Sequence, residues 1–397
     1  MKLDEVKNLD KKYYMNTFGD RLPVCFESGK GMKLTSTDGV EYYDFLAGIA
    51  VTALGHSHPK FIKAMKEQLD KVIHTSSLYY IENQARLAQK LVESSCADKA
   101  FFANTGAEAN EGAIKLAKIY FYKKGQNKYE VISLDKSFHG RTLATVAATG
   151  QEKYQKPYKP LTPGFKQVPR NDFEALKNAV TENTAAILLE LVQGESGVNP
   201  LTKEYVQQVR DLCSEKDIIL IFDEVQTGMG RSGKLFAHQK YGIEPDIFTL
   251  AKALGNGFPI GAVCAKDFVA SAFAPGDHGT TFGGNPMATA AGLAVFDILE
   301  EEHILDNVNA MSEYFMNKLA DLAKKYTSQI VELRNIGLLI GVELNADIAR
   351  PVFNKLFEKH FLTSLCGNTL RIAPPLIIGK DDIDAFISAL DSVLGEF

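Results

Sequence analysis

Short apolar segments with the length of β-strands recur along the middle of this chain and alternate with segments of helical periodicity. The clearest of them are Tyr129–Leu134, Ala185–Leu191, Ile218–Phe222, Ile247–Leu250 and Ile260–Ala265. Nearly continuous apolar strands of this kind are typical of a sheet that is covered on both faces. Helical patterns such as Tyr205–Lys216 separate several of them, so the sequence predicts an α/β fold with a mainly parallel sheet. Another predicted helix, which Pro59 opens, has the apolar face Phe61, Ile62, Met65, Leu69 and Val72.

The pattern changes after Pro286, where two long helical segments precede further strands near 330–344 and 370–373 and a last helix. We expect a smaller α+β domain there. An early hairpin, Met32–Thr35 and Val40–Phe45, has no obvious place in the α/β core. We therefore predict an N-terminal segment and hairpin over 1–48 that packs with the small domain, a large ligand-binding domain over 49–285, and the small domain over 286–397.

Charge and cysteine content argue against several classes of function. The net charge is −5, so no broad basic field is present to bind nucleic acid or an anionic membrane. No apolar segment is long enough to cross a bilayer. The five cysteines are odd in number and scattered, which favours reduced thiols in the cytoplasm. His56 and His58 have no cysteine or acid at a metal-ligand spacing, so we expect no metal site.

Two polar residues that follow apolar strands carry the strongest chemical signal. Asp223 ends the run Ile218–Phe222, and Lys252 follows the strand Ile247–Leu250 in an apolar setting. A strand-end acid more often caps a helix, and a lysine more often lies at the surface, so each residue alone is weak. Together they suit pyridoxal 5'-phosphate, because a desolvated lysine is nucleophilic and an acid can keep the pyridine nitrogen protonated.

A third segment, Asn104–Asn110, predicts the start of a helix that could bind a phosphate group. Thr105 and Glu108 have the spacing of a capping box. Gly106 would let an anion approach the free backbone N–H groups of the first turn. A well-capped helix that binds nothing explains the same residues, so both interpretations stay open for this segment alone.

Four further residues are candidates for contacts with a flat ring and with carboxylate groups. Phe138 and Arg141 follow a predicted strand, where Phe138 could stack on a cofactor and Arg141 could pair with a substrate carboxylate. Phe138 could equally belong to the core and Arg141 to the surface. Glu195 and Arg371 could form a salt bridge that only joins the two domains, or they could contribute to substrate binding.

Taken in order, these segments resemble the class III pyridoxal-phosphate aminotransferases of fold type I over nearly the whole chain. The matching motifs are Gly48–His56, Asn104–Asn110, Phe138–Thr142, Asp223–Arg231, Ala251–Gly261 and Thr280–Pro286. The resemblance implies a large domain with a mainly parallel sheet covered by helices, a smaller α+β domain, and a homodimer with shared active sites.

The resemblance also implies roles for residues around the cofactor ring. Lys252 would carry pyridoxal 5'-phosphate as a Schiff base, and Asp223 would pair with the ring nitrogen. Phe138 and Val225 would lie on the two faces of the ring, with Gln226 near its phenolic oxygen.

Other roles concern the phosphate and the substrate. The phosphate would be bound by Thr105, Gly106 and Ala107 at the helix start and by Thr281 from the other subunit. Arg141 and Arg371 would bind substrate carboxylates, and Glu195 would neutralise Arg371 when no carboxylate reaches it.

The implied reaction is the transfer of an amino group from an ω-amine to 2-oxoglutarate with ping-pong kinetics. Ile49 and Phe18 lack the hydroxyl groups that serve a free α-amino acid head in ornithine-specific relatives. We therefore expect the δ-amino group of N-acetylornithine, a precursor of arginine, to be transferred. Ornithine, 4-aminobutyrate, succinylornithine and succinyl-diaminopimelate are alternative donors, and an aminomutase, a decarboxylase or a non-catalytic protein on the same fold is an alternative of another class.

Overall fold

The computed structural model describes residues 1–397, and its largest sheet has seven strands. In spatial order these are Lys99–Ala103, Gly261–Ala265, Ile247–Leu250, Ile219–Asp223, Thr184–Leu189, Glu130–Leu134 and Phe165–Val168. Only Gly261–Ala265 runs against its neighbours; the other pairings in this sheet are parallel. The predicted α/β fold with a mainly parallel sheet is confirmed.

Residues of the central strands alternate between two apolar cores. Ile219 and Ile221 belong to a smaller core that includes the helix Gly106–Lys123. Leu220 and Phe222 belong to the larger core on the opposite face of the sheet. Because both faces are buried, these strands are apolar at most positions, and this produced the nearly continuous hydrophobic segments in the sequence.

The predicted helix Tyr205–Lys216 is observed as Lys203–Lys216, and the one that Pro59 opens ends at Leu69. The structure describes helices before and after residue 286. Those before residue 286 are Leu3–Tyr13, Ala47–Ala50, Pro59–Leu69, Glu82–Glu93, Gly106–Lys123, Leu143–Ala148, Glu152–Gln155, Phe173–Ala179, Lys203–Lys216, Ala237–Tyr241 and Asp267–Ala270, with 3-10 turns at Lys156–Tyr158 and Lys252–Leu254. Those after it are Pro286–Glu301, Ile304–Lys325, Ala346–Glu358 and Lys380–Leu394.

A second sheet joins the early hairpin to the C-terminal part of the chain. Its strands are, in spatial order, Phe26–Lys30, Lys33–Ser36, Glu41–Asp44 and Phe361–Leu362. The last two are parallel, and the rings of Tyr43 and Phe361 stack with centroids 5.2 Å apart. The ring of Phe45 also packs on Phe386, from the last helix, at 4.5 Å.

The C-terminal part has a four-stranded antiparallel sheet of its own, Ile330–Ile336, Leu339–Leu344, Thr369–Ile372 and Ser364–Cys366 in spatial order. A separate two-stranded ribbon pairs Val192–Gln193 with Asn199–Pro200. The helix Pro286–Glu301 packs against the helices Pro59–Leu69 and Glu82–Glu93. It also packs against the next helix in the chain, Ile304–Lys325. The division of the chain at residues 48 and 285 stays a prediction.

Two features differ from the sequence analysis. The strands Lys99–Ala103 and Phe165–Val168 were not predicted, because both lie at sheet edges and carry polar residues. The predicted apolar face of the helix after Pro59 is wrong in part: Phe61 is buried, but Ile62 and Leu69 are exposed and Val72 lies beyond the helix end. No helix in the structure is both long and apolar enough to span a membrane.

Candidate active site

The sheet brings Asp223 and Lys252 to one edge. Asp223 is the last residue of its strand, and Lys252 lies two residues after the neighbouring parallel strand Ile247–Leu250. The carboxyl ends of such strands are where open α/β sheets bind ligands. Lys252 begins a 3-10 turn with a φ of 46°. This left-handed conformation is unfavourable for a residue with a side chain, so the surrounding fold must hold the lysine in place.

The carboxylate of Asp223 is buried and accepts three hydrogen bonds. Nδ2 of Asn110 and Nδ1 of His139 donate to its Oδ2 at 2.7 and 2.8 Å. The backbone N–H of Val225 donates to its Oδ1 at 3.0 Å. These donors fix the carboxylate at the cavity wall, where it can bind a protonated ring nitrogen.

The side chain of Lys252 faces the cavity, and no hydrogen bond or salt bridge holds its amine. Burial lowers the pKa of this amine to about 8, and the positive charge of Arg371 acts in the same direction. A larger fraction of the amine is therefore neutral near pH 7 than for an ordinary lysine, as a nucleophile toward an aldehyde requires.

The helix Gly106–Lys123 begins at the cavity wall. Oγ1 of Thr105, the N-cap residue, accepts from the backbone N–H of Glu108 at 3.1 Å. The carboxylate of Glu108 does not return to Thr105 but accepts from the backbone N–H of Asn104 at 2.6 Å, so only half of the predicted capping box forms. Gly106 is required here, because a Cβ would lie 2.8 Å from a methyl group of Val225.

A cavity of about 480 Å³ lies between these elements. It is lined by all the predicted cofactor residues except Thr281, namely Thr105, Gly106, Ala107, Phe138, Asp223, Val225, Gln226 and Lys252. Oε1 of Gln226 and Nε2 of His139 are buried without a hydrogen-bond partner. The free helix N-terminus, the fixed carboxylate and the free lysine amine fit the phosphate, ring nitrogen and aldehyde of pyridoxal 5'-phosphate.

Glu195 and Arg371 meet beside this cavity. Nη1 of Arg371 lies 3.4 Å from Oε2 of Glu195 and donates to the carbonyl oxygen of Gly194 at 3.2 Å. Nε of Arg371 donates to Oγ of Ser364 at 3.0 Å, and Tyr154 donates to the other oxygen of Glu195 at 3.3 Å. Arg371 is buried, whereas Glu195 retains 31% of its side-chain exposure and lines the cavity. The acid is thus the more movable partner.

Arg141 lies on the cavity wall and is exposed to solvent. Its guanidinium carbon is 3.8 Å from the ring centroid of Tyr154, a cation–π contact. Thr281 is exposed and does not line the cavity of its own chain, unlike the other predicted cofactor residues.

Sequence reasoning did not assign roles to Asn110, His139 and Glu190. Glu190 directly follows the strand Thr184–Leu189, so the strand-end rule that found Asp223 could have found it. It accepts from the backbone N–H of Phe138 at 2.8 Å, and burial raises the pKa of its carboxyl group. Asn110 and His139 lay within segments already singled out, but only the fold shows that both face Asp223.

Comparison with known proteins decides the family. The family model described as aminotransferase class-III matches residues 14–394. The chain belongs to the class III aminotransferases. A class III aminotransferase depends on pyridoxal 5'-phosphate and moves an amino group between an amine and a 2-oxo acid. The expected enzyme class, fold type and cofactor are confirmed.

Relatives extend over the whole length of this class III aminotransferase. It is 54% identical to the acetylornithine aminotransferase of Methanocaldococcus jannaschii, with 98% of each chain covered. Among solved structures, it is similar to the ornithine aminotransferase of Toxoplasma gondii, with 31% identity, a TM-score of 0.95 and coverage of 100% and 96% of the two chains. It is also similar to the acetylornithine aminotransferase of Elizabethkingia anophelis, with 32% identity, a TM-score of 0.89 and full coverage of both chains.

Proposed function

We propose that this aminotransferase moves the δ-amino group of N-acetylornithine to 2-oxoglutarate, giving N-acetylglutamate 5-semialdehyde and glutamate, a step that forms a precursor of arginine. One observation carries the proposal: a buried arginine, Arg371, is paired with a movable acid, Glu195, beside the cavity that Lys252 lines. An enzyme that alternates between a donor and an acceptor of different charge needs such a site. The names of several relatives at 44–54% identity support this donor.

Lys252 and Asp223 would perform the central chemistry. Bound pyridoxal 5'-phosphate supplies an aldehyde that captures amino groups and an aromatic ring that accepts the electron pair released at the substrate carbon. The carboxylate of Asp223, held by Asn110 and His139, would keep the ring nitrogen protonated. Nζ of Lys252 would take a proton from the substrate carbon and return it at the cofactor carbon, which its lowered pKa allows near neutral pH.

The residues around the ring would fix its plane. Phe138 and Val225 both line the cavity and would contact the two faces of the ring, and Gln226 would donate to its phenolic oxygen. The N–H groups of Gly106 and Ala107, with Thr105, would bind the phosphate at the helix start. Ring and phosphate would then be held by different elements, which keeps the reacting carbon in one place.

The two arginines would serve the two half-reactions in turn. Arg141, which is exposed at the cavity, would bind the α-carboxylate of N-acetylornithine. The δ-amine would then lie beside Lys252, where the cofactor aldehyde is attached. Arg371 then has no carboxylate to bind, and Glu195 neutralises it. When 2-oxoglutarate or glutamate binds, its α-carboxylate replaces Glu195 at Arg371. Ile49 and Phe18 offer no hydroxyl or acid to a free α-ammonium group, which favours an acylated donor.

A panel of amine half-reactions tests the proposed donor. The purified enzyme, loaded with pyridoxal 5'-phosphate, is mixed with N-acetylornithine, ornithine, 4-aminobutyrate or a succinylated amine, and the change in cofactor absorbance is followed. We expect N-acetylornithine to react at least about tenfold faster than ornithine or 4-aminobutyrate, which corresponds to about 1.4 kcal/mol. If N-acetylornithine reacts no faster than 4-aminobutyrate, the proposed donor is wrong. Product analysis with and without 2-oxoglutarate separates a transaminase from a decarboxylase or an aminomutase.

The active sites would be shared between two subunits of a homodimer. Several large apolar side chains are exposed over residues 69–80, namely Leu69, Val72, Ile73, Leu78, Tyr79 and Tyr80, and Phe282 is exposed as well. Exposed apolar groups of this number mark an association surface. Thr281 adjoins Phe282 and is exposed, so a twofold partner could place it at the other cofactor site.

The free cysteines of the chain fit a cytoplasmic enzyme.

A further inference from the structure

A second cavity, of about 400 Å³, lies away from the cofactor residues, at the end of the helix Glu82–Glu93. Cys96 and His238 line its wall, and Cys96 is half-buried while His238 is almost fully buried. Neither residue has a role in the proposed transamination.

Three side chains form a chain of contacts that begins at this wall. Sγ of Cys96 lies 3.7 Å from Nε2 of His238, and Nδ1 of His238 donates to Oε1 of Glu224 at 2.8 Å. A sulfur nucleophile, an imidazole base and a carboxylate that orients the base are the three parts of an activated thiol. Glu224 is the residue after Asp223, but it serves this cavity rather than the cofactor site.

Glu224 is well placed to stabilise a charged imidazole. It is buried, and its carboxylate also accepts from the backbone N–H groups of Ala237 and His238, at 2.5 and 2.9 Å. Burial of His238 opposes its protonation, but the hydrogen bonds with Cys96 and Glu224 outweigh burial and raise the pKa of the imidazole to about 9. Nε2 of this ring faces Sγ of Cys96 and is therefore the atom that can exchange a proton with the thiol.

Other charged groups around the cavity bear on which reagents can enter. Glu93 and Glu244 line it, and Glu244 is paired with Lys266 at 2.8 Å. The thiol of Cys264 is nearby and fully buried. The net charge of the wall is negative apart from the imidazole, so anionic reagents are disfavoured relative to uncharged ones.

We propose that Cys96 is a nucleophilic thiol that His238 and Glu224 activate, and that small uncharged electrophiles such as hydrogen peroxide modify it. The thiol proton moves to Nε2 of His238, and the sulfur forms a bond to one peroxide oxygen while the O–O bond breaks. The departing hydroxide takes the proton from His238 and leaves as water. The sulfur is oxidised to a sulfenic acid, and the peroxide is reduced.

The pH dependence of alkylation in the wild-type enzyme tests this proposal directly. The holoenzyme is treated with iodoacetamide, an uncharged alkylating agent, between pH 5.5 and 8.5, and labelling of each cysteine is measured by peptide mass spectrometry. Cys25, which is also half-buried, is the internal reference. At pH 6.5 we expect Cys96 to react at least about tenfold faster than Cys25, with little further increase up to pH 8.5. A rate at Cys96 that rises about tenfold per pH unit, or that does not exceed that of Cys25, overturns the proposal.

Variants separate activation from mere accessibility. His238→Gln removes the base, and we expect labelling of Cys96 at pH 6.5 to fall about tenfold while Cys25 is unchanged. Cys96→Ser should transaminate like the wild type and should lose the sulfenic acid that dimedone traps after peroxide treatment. Equal labelling of Cys96 in wild type and in folded His238→Gln contradicts activation by the imidazole. If that variant does not fold, the wild-type pH profile alone decides.

Discussion

Nδ1 of His139 donates a hydrogen bond to Asp223 at 2.8 Å, while Nε2 on the other side of the same ring is buried without a partner. The ring is fully buried, and the backbone N–H of His139 donates to Oγ1 of Thr149 at 2.9 Å. Asp223 is consequently oriented by a group that is itself not freely rotating. This relationship explains why the acid at the end of an ordinary apolar strand can have a fixed chemical role.

Replacement of Asp223 by alanine should leave the fold intact and remove most activity. The ring nitrogen would lose its anionic partner, so we expect the rate of the amine half-reaction to fall at least about a hundredfold. Circular dichroism checks the fold, and stopped-flow absorbance measures the half-reaction. Asp211→Ala, on an exposed helix face, is the matched control and should react at the wild-type rate. Wild-type turnover in Asp223→Ala would remove the proposed role.

Attachment of the cofactor to the apoenzyme should depend on pH through Lys252. Below its pKa the amine is protonated and cannot attack the aldehyde, so the rate should rise with pH and level off near pH 8, where the pKa lies. The absorbance change on mixing apoenzyme with pyridoxal 5'-phosphate gives the rate. Borohydride reduction should then attach the label to Lys252. A rate that still rises steeply between pH 9 and 10, as for an ordinary lysine, would contradict the lowered pKa.

The Gly106→Ala variant should bind the cofactor more weakly. The new Cβ would meet a methyl group of Val225 at 2.8 Å, and either the helix start or the ring contact must shift. We expect about a tenfold loss of affinity, measured as the release of cofactor during dialysis. Gly379→Ala is the control, because the nearest neighbour of its new Cβ would be 3.6 Å away and Gly379 does not line the cavity. Unchanged retention in Gly106→Ala would argue against phosphate binding at this turn.

The Glu195→Gln variant should change the ratio of the two half-reactions. Arg371 would stay charged without its acid, which destabilises the complex with an ω-amine but not the complex with glutamate. We expect the N-acetylornithine half-reaction to slow about tenfold relative to the glutamate half-reaction. Single-turnover rates with each substrate measure the ratio, and Glu204→Gln, an exposed change, is the control. An unchanged ratio would leave Glu195 with only a structural role.

Mixed dimers test whether Thr281 completes the partner's site. Lys252→Ala and Thr281→Ala subunits are each expected to form impaired homodimers. In a mixed dimer both defects fall in one site, and the other site is intact. We therefore expect up to about half of the wild-type activity per mixed dimer, measured after refolding the two variants together. If mixing restores no activity above the sum of the separate variants, Thr281 does not act across subunits.

The sequence predicted the central strands and the Asp223–Lys252 pair because both rest on local signals. Strands buried on both faces are apolar throughout, and a polar residue directly after such a strand is conspicuous. The edge strand Phe165–Val168 was missed, since a strand with one open side can carry Lys166 and Gln167. Ile62 and Leu69 were assigned to the apolar face of a helix, yet both are exposed, because periodicity shows a shared face but not what covers it. The Cys96–His238–Glu224 contacts could not be foreseen, because residues far apart in sequence meet only in the fold.

The pairing of Glu41–Asp44 with Phe361–Leu362 has a consequence for biosynthesis of the chain. The strand Glu41–Asp44 cannot pair with Phe361–Leu362 until the ribosome has synthesised residue 362. The early hairpin therefore leaves the ribosome long before this partner strand exists. During that interval one strand edge is open to other nascent chains. Such a distant contact also slows the last stage of folding. A truncated chain that stops before residue 361 should therefore aggregate, although its seven-stranded sheet would be fully translated.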